Sequence, residues 1–498
     1  MKSHKEAVAH ISARVRQFYD RKESFRIYHG STLSTRDILY EQDKIVDTSN
    51  LSSVLKVDTA TKTALVEPNV PMDDLVHCTT QYGLLPPVIM EFPNITVGGG
   101  FAGTAGESSS FKYGLFDCTI NRIEVVLANG DIVEASVSDP DTSDLFYASA
   151  GSCGTLGVVT LLEVQLIESK PWVELTYIPI QSMPEAIVKL KEAAADPSVE
   201  YIDGILFARD CGVIMTGRLV DSYPADMHVQ SFLRARDPWF YLHAGDVIKN
   251  SKGPVKEAIP LTDYLFRYDR GVFWGCAYAF KYFMTPFNRI TRFALDPFMR
   301  TRVVNHAFHK SGLSKQILVQ DLAFPYSTVE RFIEYLDKKL GMYPLWLCPV
   351  RPTQCLQKQP RNTFAMGKDP LPDDMLLNVG VWGMGPSDYM KFVALNREIE
   401  QKVRELQGLK CLYAHAYYTE DEFWTIYDRK WYDDIRTKYH ANTLPTVYDK
   451  VKANLSSTQP ENESWGAWLH RKAWGIWPLS GVYGVVRAAI GGNYLLAK

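Results

Sequence analysis

One glycine-rich stretch constrains this chain more than any other feature: residues 95–114 read ITVGGGFAGTAGESSSFKYG. Five glycines lie between Gly98 and Gly106, and three serines follow directly after Glu107. Glycine accepts positive φ and lets a ligand approach the backbone, because it has no Cβ. Successive free N–H groups in such a loop would form a concave site for phosphate oxygens. A flexible linker is the alternative, but linkers rarely alternate with hydrophobic residues this closely.

A second glycine group, Gly151, Gly154 and Gly157, leads directly into the apolar run VVTLLEVQL. Two such turns suggest one phosphate-bearing cofactor held from two sides. The first group also satisfies G-x-G-x-x-G, but the dinucleotide fingerprint requires a following helix. Here Gly106 and the serines follow, which are poor helix-starting residues. We therefore reject a nicotinamide Rossmann site and favour a larger diphosphate such as FAD.

The composition is that of an ordinary globular protein, with 46% hydrophobic and 22% charged residues among 498. This length predicts two or three domains. A net charge of −3 gives no bulk attraction to nucleic acid, so no nucleic-acid partner is expected. The eight cysteines form no C-x-x-C pair and no cluster with histidines at zinc spacing. We therefore expect no metal and a reducing compartment.

Short apolar runs separated by turns predict an α+β fold. An amphipathic first helix is indicated by Ala7, Ile11, Val15 and Phe18, and a second helix should begin at Pro71 and end near Gly83. Asn129-Gly130 predicts a hairpin. Met183–Ala195 reads as a later helix, and the predicted strands are Phe25–His29, Lys44–Val46, Val54–Val57, Thr63–Val66, Ile123–Leu127, Ile132–Ala135, Val158–Leu166, Tyr201–Ala208 and Gly212–Leu219.

Several blocks in order carry a family resemblance: TVGGGFAGTAGESSSFKYGLF, DLFYASAGSCGTLGVVT, YPLWLCP, VEPNVPMDDLV, RYDRGVFWG, LVQDLAFP, YAHAYYTEDEFW and LPTVYDK. Between about Arg26 and Lys452 the chain resembles the delta-24-sterol reductases (the Diminuto, or seladin, family), which are FAD-dependent members of the vanillyl-alcohol-oxidase superfamily. The resemblance implies a PCMH-type FAD-binding domain with an α/β substrate cap. It also implies NADPH-dependent reduction of the 24(25) double bond in a sterol or terpenoid side chain.

We expect four regions on this basis. Residues 1–170 form the FAD-binding domain and residues 171–409 the cap. Residues 410–455 return to the FAD site, and residues 456–498 form an aromatic-rich tail.

The resemblance places the first diphosphate loop at Arg26–Arg36. Many superfamily members attach flavin to a histidine that follows paired glycines, whereas here His29 precedes a single glycine. We therefore predict non-covalent FAD and an ordinary hydrogen-bonding role for His29. The residues expected to bind FAD are Gly30, Ser31, Thr96, Val97, Gly98, Gly99, Gly100, Phe101, Ala102, Gly103, Thr104, Ala105, Gly106, Glu107, Ser108, Gly151, Gly154 and Gly157.

Reducing an isolated alkene requires a hydride and a proton donor. The superfamily's late block returns to the flavin, and there the candidate acids are Tyr413, His415, Tyr417, Glu420 and Glu422. The two tyrosines are preferred as catalytic residues, since a phenol enters an apolar pocket without a charge to desolvate. His415 suits acid catalysis near neutral pH but is also a common structural residue.

Beside the glycine loop, Glu107, Lys112 and Tyr113 could contact FAD or substrate, or could only stabilise the loop. No NADPH motif is visible, so NADPH and substrate are expected to occupy one cavity in turn.

Two segments suggest peripheral membrane contact. Residues 281–315 carry seven basic side chains among Phe and Met against one acid, Asp296. The tail contains Trp465, Trp468, Trp474, Trp477 and Tyr483, and its longest uncharged run is 14 residues, short of a membrane span. A solvated helix face and packing against the body are the alternatives. The expected location is intracellular, at the cytoplasmic face of the endoplasmic reticulum or in the cytoplasm.

Two other functions share these features. An FAD oxidase or dehydrogenase of an alcohol would use the same cofactor domain. A non-catalytic sterol-binding protein would not require the five glycines. The sequence does not predict the oligomeric state.

Overall fold

A computed structural model describes residues 2–30, 34, 36, 40–251, 253–352, 363–368, 375–453, 455, 477–491 and 495. In chain order the strands are β1 Arg26–Tyr28, β2 Ile45–Asp47, β3 Val54–Asp58, β4 Thr63–Val66, β5 Leu84–Leu85, β6 Ile120–Leu127, β7 Ile132–Ser136, β8 Gly157–Gln165, β9 Ile167–Glu168, β10 Trp172–Ile180, β11 Tyr201–Ala208, β12 Cys211–Val220, β13 Val255–Pro260, β14 Ile317–Pro325, β15 Leu345–Val350, β16 Leu376–Met384 and β17 Leu409–Lys410.

The α-helices are α1 Lys2–Asp20, α2 Met72–Thr80, α3 Val97–Ala102, α4 Ser110–Tyr113, α5 Ser143–Ser149, α6 Met183–Ala195, α7 Phe240–Asn250, α8 Leu261–Leu265, α9 Gly275–Tyr282, α10 Arg289–Ala294, α11 Thr301–Ser311, α12 Val329–Leu340, α13 Thr363–Met366, α14 Tyr389–Glu405, α15 Glu420–Ile426, α16 Arg429–Lys438, α17 Val447–Val451 and α18 Leu479–Ile490. In these ranges no helix combines the length and the apolar character needed to cross a membrane.

The N-terminal part holds a five-stranded antiparallel sheet in the order β3-β4-β8-β6-β7, beside the parallel pair β1-β2. Helix α1 buries Ile11, Val15 and Phe18, as its periodicity predicts, and it buries Val8 rather than the expected Ala7. The predicted hairpin joins β6 to β7, and Gly130 adopts a φ of +88° there. The predicted α+β class is confirmed.

The second sheet has eight strands in the order β13-β10-β12-β11-β15-β16-β14-β17, all antiparallel. Helices α6, α12 and α14 pack their apolar faces against one side of this sheet. The residues buried there form the second hydrophobic cluster. Side chains alternate along a strand, so the other side faces the N-terminal part. Along β14, Leu318 and Leu322 join the helix-side cluster, whereas Val319 and Asp321 point the other way and line a cavity.

Candidate active site

A cavity of about 590 Å³ lies between the glycine loop and the eight-stranded sheet. The glycine loop contributes Thr96, Gly98 and Gly103, while Trp346 and Cys348 of β15 line the opposite wall. The cavity therefore lies where the glycine loop of the N-terminal part meets the eight-stranded sheet.

The glycine loop folds differently from our expectation. Its first half is the short helix α3, whose N-cap Thr96 accepts a hydrogen bond from the Gly99 N–H at 3.1 Å. The N–H of Gly98 donates to the Pro68 carbonyl and that of Gly103 to the Gly99 carbonyl. These donors are occupied by protein acceptors, so they do not form the predicted row of free N–H groups.

The glycines instead allow close packing. A Cβ on Gly98 would lie 2.7 Å from the Cβ of Pro68, and one on Gly100 would lie 2.4 Å from Cε of Met90. Both distances are shorter than a normal van der Waals contact. Because these glycines have no side chains, the loop packs directly against Pro68 and Met90 while it lines the cavity.

The structure separates the predicted FAD-binding residues into two groups. Those that line the cavity are Thr96, Gly98, Gly99, Ala102, Gly103, Thr104, Ala105, Gly106, Gly154 and Gly157. Those outside its lining are Gly30, Val97, Gly100, Phe101, Glu107, Ser108 and Gly151. Val97 and Phe101 are four residues apart on α3, so they lie on one face of the helix, and that face points into the hydrophobic core. Ser31 lies outside the described residues.

One end of the cavity is lined by cationic and neutral nitrogen groups: Arg26, His29, Arg36 and Lys450. Lys450 donates to the carbonyl of Cys153 at 2.8 Å, which ties α17 to the second glycine turn. Among the described residues, no carboxylate forms an ion pair with Arg26, Arg36 or Lys450. Nδ1 of His29 and Nε of Arg36 are buried, and within the same ranges they have no hydrogen-bond partner.

The electrostatics of this end favour an anionic ligand. Burial, together with the nearby charges of Arg26 and Arg36, lowers the pKa of Lys450 to about 8. Burial, followed by the charge of Lys450, lowers the pKa of His29 to about 4, so the imidazole is neutral at neutral pH. A bound diphosphate would offset the repulsion among the cations and use their unpaired donors. These residues therefore fit the diphosphate of FAD.

Aromatic side chains form another part of the cavity wall. Phe273 lies between Tyr268 and Trp382, with ring centroids 3.8 and 4.4 Å away. Of the nine aromatic residues between positions 264 and 283, Phe273 and Tyr278 line the cavity. The others are mainly packing residues, and Tyr268 is bonded to the buried Arg267–Asp203 ion pair. Flat apolar walls of this kind accommodate a flat apolar ligand.

A buried proton-donor network lies at the same cavity. Tyr413 Oη donates to Oδ2 of Asp321 at 2.5 Å, and Asn378 Nδ2 donates to Oδ1 at 3.0 Å. All three residues line the cavity. Burial, together with the charge of Asp321, raises the pKa of Tyr413 well above its usual value, so the phenol keeps its proton. Burial also raises the pKa of Asp321. The pair can hold a proton at the cavity wall.

The other predicted acids lie away from the cavity lining. Residues 412–414 form a turn, so Tyr413, His415 and Tyr417 do not share one strand face. Tyr417 packs in the second hydrophobic cluster, where its ring centroid is 6.2 Å from that of Phe392. The ring of His415 is 6.3 Å from that of Tyr417.

Glu420 and Glu422 have structural roles at the start of α15. Glu422 forms a capping box with Thr419 and an ion pair with Arg397, with N and O 3.1 Å apart. Glu420 lies 3.5 Å from Arg429. Lys112 and Tyr113 both bind Glu200, at 2.6 and 2.9 Å, which stabilises the loop after the glycines.

Glu107 is buried beside a second carboxyl group, Glu91, which lines the cavity. Burial raises the pKa of Glu91 to about 7. Burial and the charge of Glu91 raise the pKa of Glu107 well above its usual value. Neither carboxyl oxygen of Glu107 has a hydrogen-bond partner among the described residues. Sequence reasoning missed Glu91, although it directly precedes the Phe-Pro that leads into the glycine loop.

These shifts predict a pH dependence of stability. Glu107 is protonated in the folded state but ionises in the unfolded chain above pH 4.5, so stability falls as the pH rises from there. We expect Glu107→Gln to raise the free energy of unfolding at pH 8 by at least about 1.4 kcal/mol, the equivalent of one pKa unit. At pH 4 the variant should differ little from the unchanged protein. Urea unfolding at both pH values measures this.

Glu200→Gln is the matched control, because it removes the ion pair with Lys112. It should lower stability at pH 8. If Glu107→Gln also lowered stability there, the buried carboxyl would be stabilising in its ionised form, contrary to our expectation.

Comparison with known proteins bears on both the cofactor and the family of this chain. A family model described as FAD binding domain matches residues 6–136. The Delta(24)-sterol reductase of Macaca fascicularis is 30% identical over 455 residues, covering 90% of this chain and 86% of the relative. The chain belongs to the Delta(24)-sterol reductase family. The Caenorhabditis elegans homolog is 28% identical and covers 90% of this chain, and the Arabidopsis thaliana reductase is 28% identical and covers 84%.

As a member of the Delta(24)-sterol reductase family with an FAD-binding domain, the chain is an FAD oxidoreductase. Its block RYDRGVFWG, which carried part of the resemblance, has a visible structural role. Arg267 pairs with Asp203, and Arg270 pairs with Asp296 at 2.6 Å. Asp269 accepts from the Thr301 hydroxyl at 2.6 Å. These bonds fix the aromatic segment and α11 against the cavity.

Sequence reasoning missed several cavity residues of this reductase family member. Asp321, Asn378 and Trp382 lie on strands whose alternation could have indicated a shared face, but not a shared cavity with Tyr413. LVQDLAFP, which contains Asp321, was visible as a family block. Its signal was an acid within an otherwise apolar strand. Arg36 ends the predicted diphosphate loop and Lys450 ends the family block LPTVYDK, but neither pattern indicated a role for these two side chains.

Proposed function

We propose that this protein is an FAD-dependent reductase that uses NADPH to reduce the 24(25) double bond in the side chain of a sterol or a related isoprenoid. One observation carries the proposal: a single cavity joins a cationic end suited to a diphosphate, an aromatic wall and the Tyr413–Asp321 pair. The Delta(24)-sterol reductases among its relatives support the substrate class. The eight-stranded sheet and its helices would serve as the substrate cap, within the domain bounds predicted above.

The cationic end would hold FAD. Lys450, Arg26 and Arg36 would bind the diphosphate, and the glycine loop would present a wall without side chains. FAD, when bound and reduced by NADPH, supplies the hydride for the alkene. The attachment would be non-covalent, so acid denaturation should release all the flavin.

The protein's own contribution to the chemistry would be a proton at a fixed position. A proton added to one alkene carbon leaves positive charge on the other carbon, and that second carbon accepts the hydride, so the acid must face the carbon that the hydride does not reach. Tyr413 Oη would supply that proton, with Asp321 orienting the phenol. The raised pKa of Tyr413 keeps the phenol neutral at the cavity wall. Arg36 donates to the carbonyls of Leu412 and Tyr413 at 2.9 Å, which positions the turn that carries the phenol.

NADPH would enter the same cavity before the substrate and leave after delivering its hydride. This alternation follows from the lack of a recognisable nicotinamide motif and from the need for the nicotinamide to reach the flavin. The cellular location would be intracellular, in the cytoplasm or at the cytoplasmic face of the endoplasmic reticulum.

An anaerobic flavin titration tests the function. The purified flavoprotein should lose its absorbance near the flavin maximum when NADPH is added and regain it when a side-chain-unsaturated sterol follows. Product analysis should show the saturated side chain. Reduction by NADPH without re-oxidation by any isoprenoid alkene would reject the substrate class. Reduction by an alcohol, with no response to NADPH, would establish an oxidase or dehydrogenase instead.

A further inference from the structure

Helix α18 presents its apolar side to solvent. Its buried residues are the small Ser480, Gly481 and Gly484. The exposed residues of the same helix are large and apolar, with 41 to 68% of their surface accessible: Leu479, Val482, Tyr483, Val486 and Ile490. An amphipathic helix that packs on a soluble body normally has the opposite arrangement. The outward stripe therefore requires an explanation other than packing against the body.

Close packing fixes this orientation. A Cβ on Gly484 would lie 2.6 Å from the carbonyl oxygen of Ala307 in α11, and one on Gly481 would lie 2.4 Å from the ring of Tyr282. A larger residue could not occupy either position. If the helix were rotated to bury Val482 or Val486, these larger side chains would clash with α11 and Tyr282. The small face must therefore be the inner one.

A second exposed apolar segment adjoins α18. Residues 284–298 expose Met284 by 71%, Ile290 by 79% and Phe293 by 56%, with Phe287 and Phe298 beside them. The indole of Trp477, just before α18, donates to the Tyr282 carbonyl at 2.6 Å and joins the segments. We call residues 284–298 and 477–490 the apolar patch. It contains eleven of the seventeen large hydrophobic residues exposed in the described part of the chain. Such a concentration indicates an interaction surface.

The charge around the apolar patch is basic, although the whole chain has a net charge of −3. Lys281, Arg289 and Arg302 are exposed in or beside its first segment. Asp296, the only acid between residues 281 and 315, is buried and pairs with Arg270 and Arg300. Helix α18 contains Arg487 and no acid. The patch therefore complements a surface that is both apolar and anionic.

The apolar patch is also close to the cavity. Helix α11 lies between them: Val304 and Phe308 line the cavity, while Ala307 contacts Gly484 of α18. One helix thus separates the proposed substrate cavity from the exposed apolar stripe. A ligand held at the patch would be within one helix diameter of the cavity.

We propose that the apolar patch docks onto the surface of an anionic lipid bilayer. Its large apolar side chains would enter the headgroup–acyl boundary, and Lys281, Arg289 and Arg302 would contact lipid phosphates. The 12 residues of α18 span about 18 Å, so the helix would lie along the membrane plane. This binding goes beyond the proposed reaction and does not depend on which alkene is reduced.

Vesicle co-sedimentation of the full-length flavoprotein tests the proposal. Vesicles of phosphatidylcholine are compared with vesicles that also contain phosphatidylserine. We expect the unchanged protein to bind the anionic vesicles and Val482→Glu/Val486→Glu to bind them at least about tenfold more weakly. Lys281→Glu/Arg289→Glu should lose the preference for phosphatidylserine. Flavin content should be unchanged in both variants, which shows that they fold.

Val188→Glu/Val229→Glu is the matched control, because these valines are 51% and 39% exposed elsewhere on the protein. It should bind vesicles like the unchanged protein. The proposal is overturned if the unchanged protein does not bind, or if the α18 variant binds equally well. Sedimentation velocity checks for a second copy: a dimer that the α18 substitutions dissociate, without vesicle binding, would assign the patch to self-association.

Binding that appears only after residues 456–476 are deleted would instead assign this segment as the natural cover, and would also overturn the proposal. Vesicle binding is measured without turnover. Its failure can therefore be distinguished from failure of the proposed reaction, which the flavin titration measures separately.

Discussion

Replacing Tyr413 by phenylalanine should reduce steady-state turnover at least about tenfold while leaving bound FAD at its normal level, the loss typical of removing a general acid. The substitution removes the hydroxyl that donates to Asp321 at 2.5 Å but keeps the ring that lines the cavity. Reduction of the flavin by NADPH should proceed at the unchanged rate, because that step requires no proton from Tyr413. Stopped-flow measurement of the two half-reactions separates them.

Tyr417→Phe is the matched control. Tyr417 lies only four residues further along and was an equal candidate from the sequence, but its ring packs beside Phe392 in the second hydrophobic cluster. Its turnover should stay near normal. Unchanged turnover in Tyr413→Phe, or an equal loss in both variants, would remove Tyr413 from the mechanism. A loss in the NADPH half-reaction alone would assign Tyr413 to cofactor binding.

Replacing Lys450 by methionine should weaken FAD binding at least about tenfold, since the loss of one buried charge-assisted contact costs 1.5–3 kcal/mol. The same substitution should stabilise the flavin-free protein. The Lys450 ammonium is buried near Arg26 and Arg36, and its pKa is lowered to about 8, so its charge opposes folding in the absence of an anion. Flavin fluorescence gives the dissociation constant, and thermal unfolding with and without FAD gives the stability.

Lys452→Met controls for the loss of a lysine in the same short segment. Lys452 is exposed and pairs with Asp449, with N and O 2.8 Å apart. It should leave FAD affinity unchanged. A Lys450→Met protein that is less stable without FAD, yet binds FAD normally, would show that Lys450 only holds the Cys153 carbonyl. The cationic end of the cavity would then have no role in binding the cofactor.

Local patterns in the sequence predicted much of the fold. The apolar spacing of Ile11, Val15 and Phe18 sets the buried face of α1, and β4 and α6 have the predicted bounds. Asn129-Gly130 forms the predicted hairpin because positive φ is required there. These features depend on neighbours within a few residues. The glycine loop was located correctly, but its helix α3 depends on support from Pro68 and Met90, which no local pattern reveals.

The site was harder to predict because its residues come from distant positions. Asp321 and Tyr413 are 92 residues apart, and Lys450 lies 297 residues after Cys153. Tyr413, His415 and Tyr417 were candidates from one family block, but Tyr413 lies in a turn at residues 412–414 and is the one of the three that lines the cavity. Which tyrosine reaches the cavity depends on that turn and on the Arg36 contacts that hold it.

The alternation along β14 divides one strand into two sets of positions that can be varied separately. Ile317, Val319 and Ala323 face the cavity on either side of Asp321, whereas Leu318, Leu322 and Phe324 belong to the helix-side cluster. Substitutions at the cavity-facing positions of β14 would change the shape of the ligand site with little effect on folding. Natural variation at the second set would record selection for stability. A single-residue insertion in β14 would exchange the two sets and abolish both properties at once.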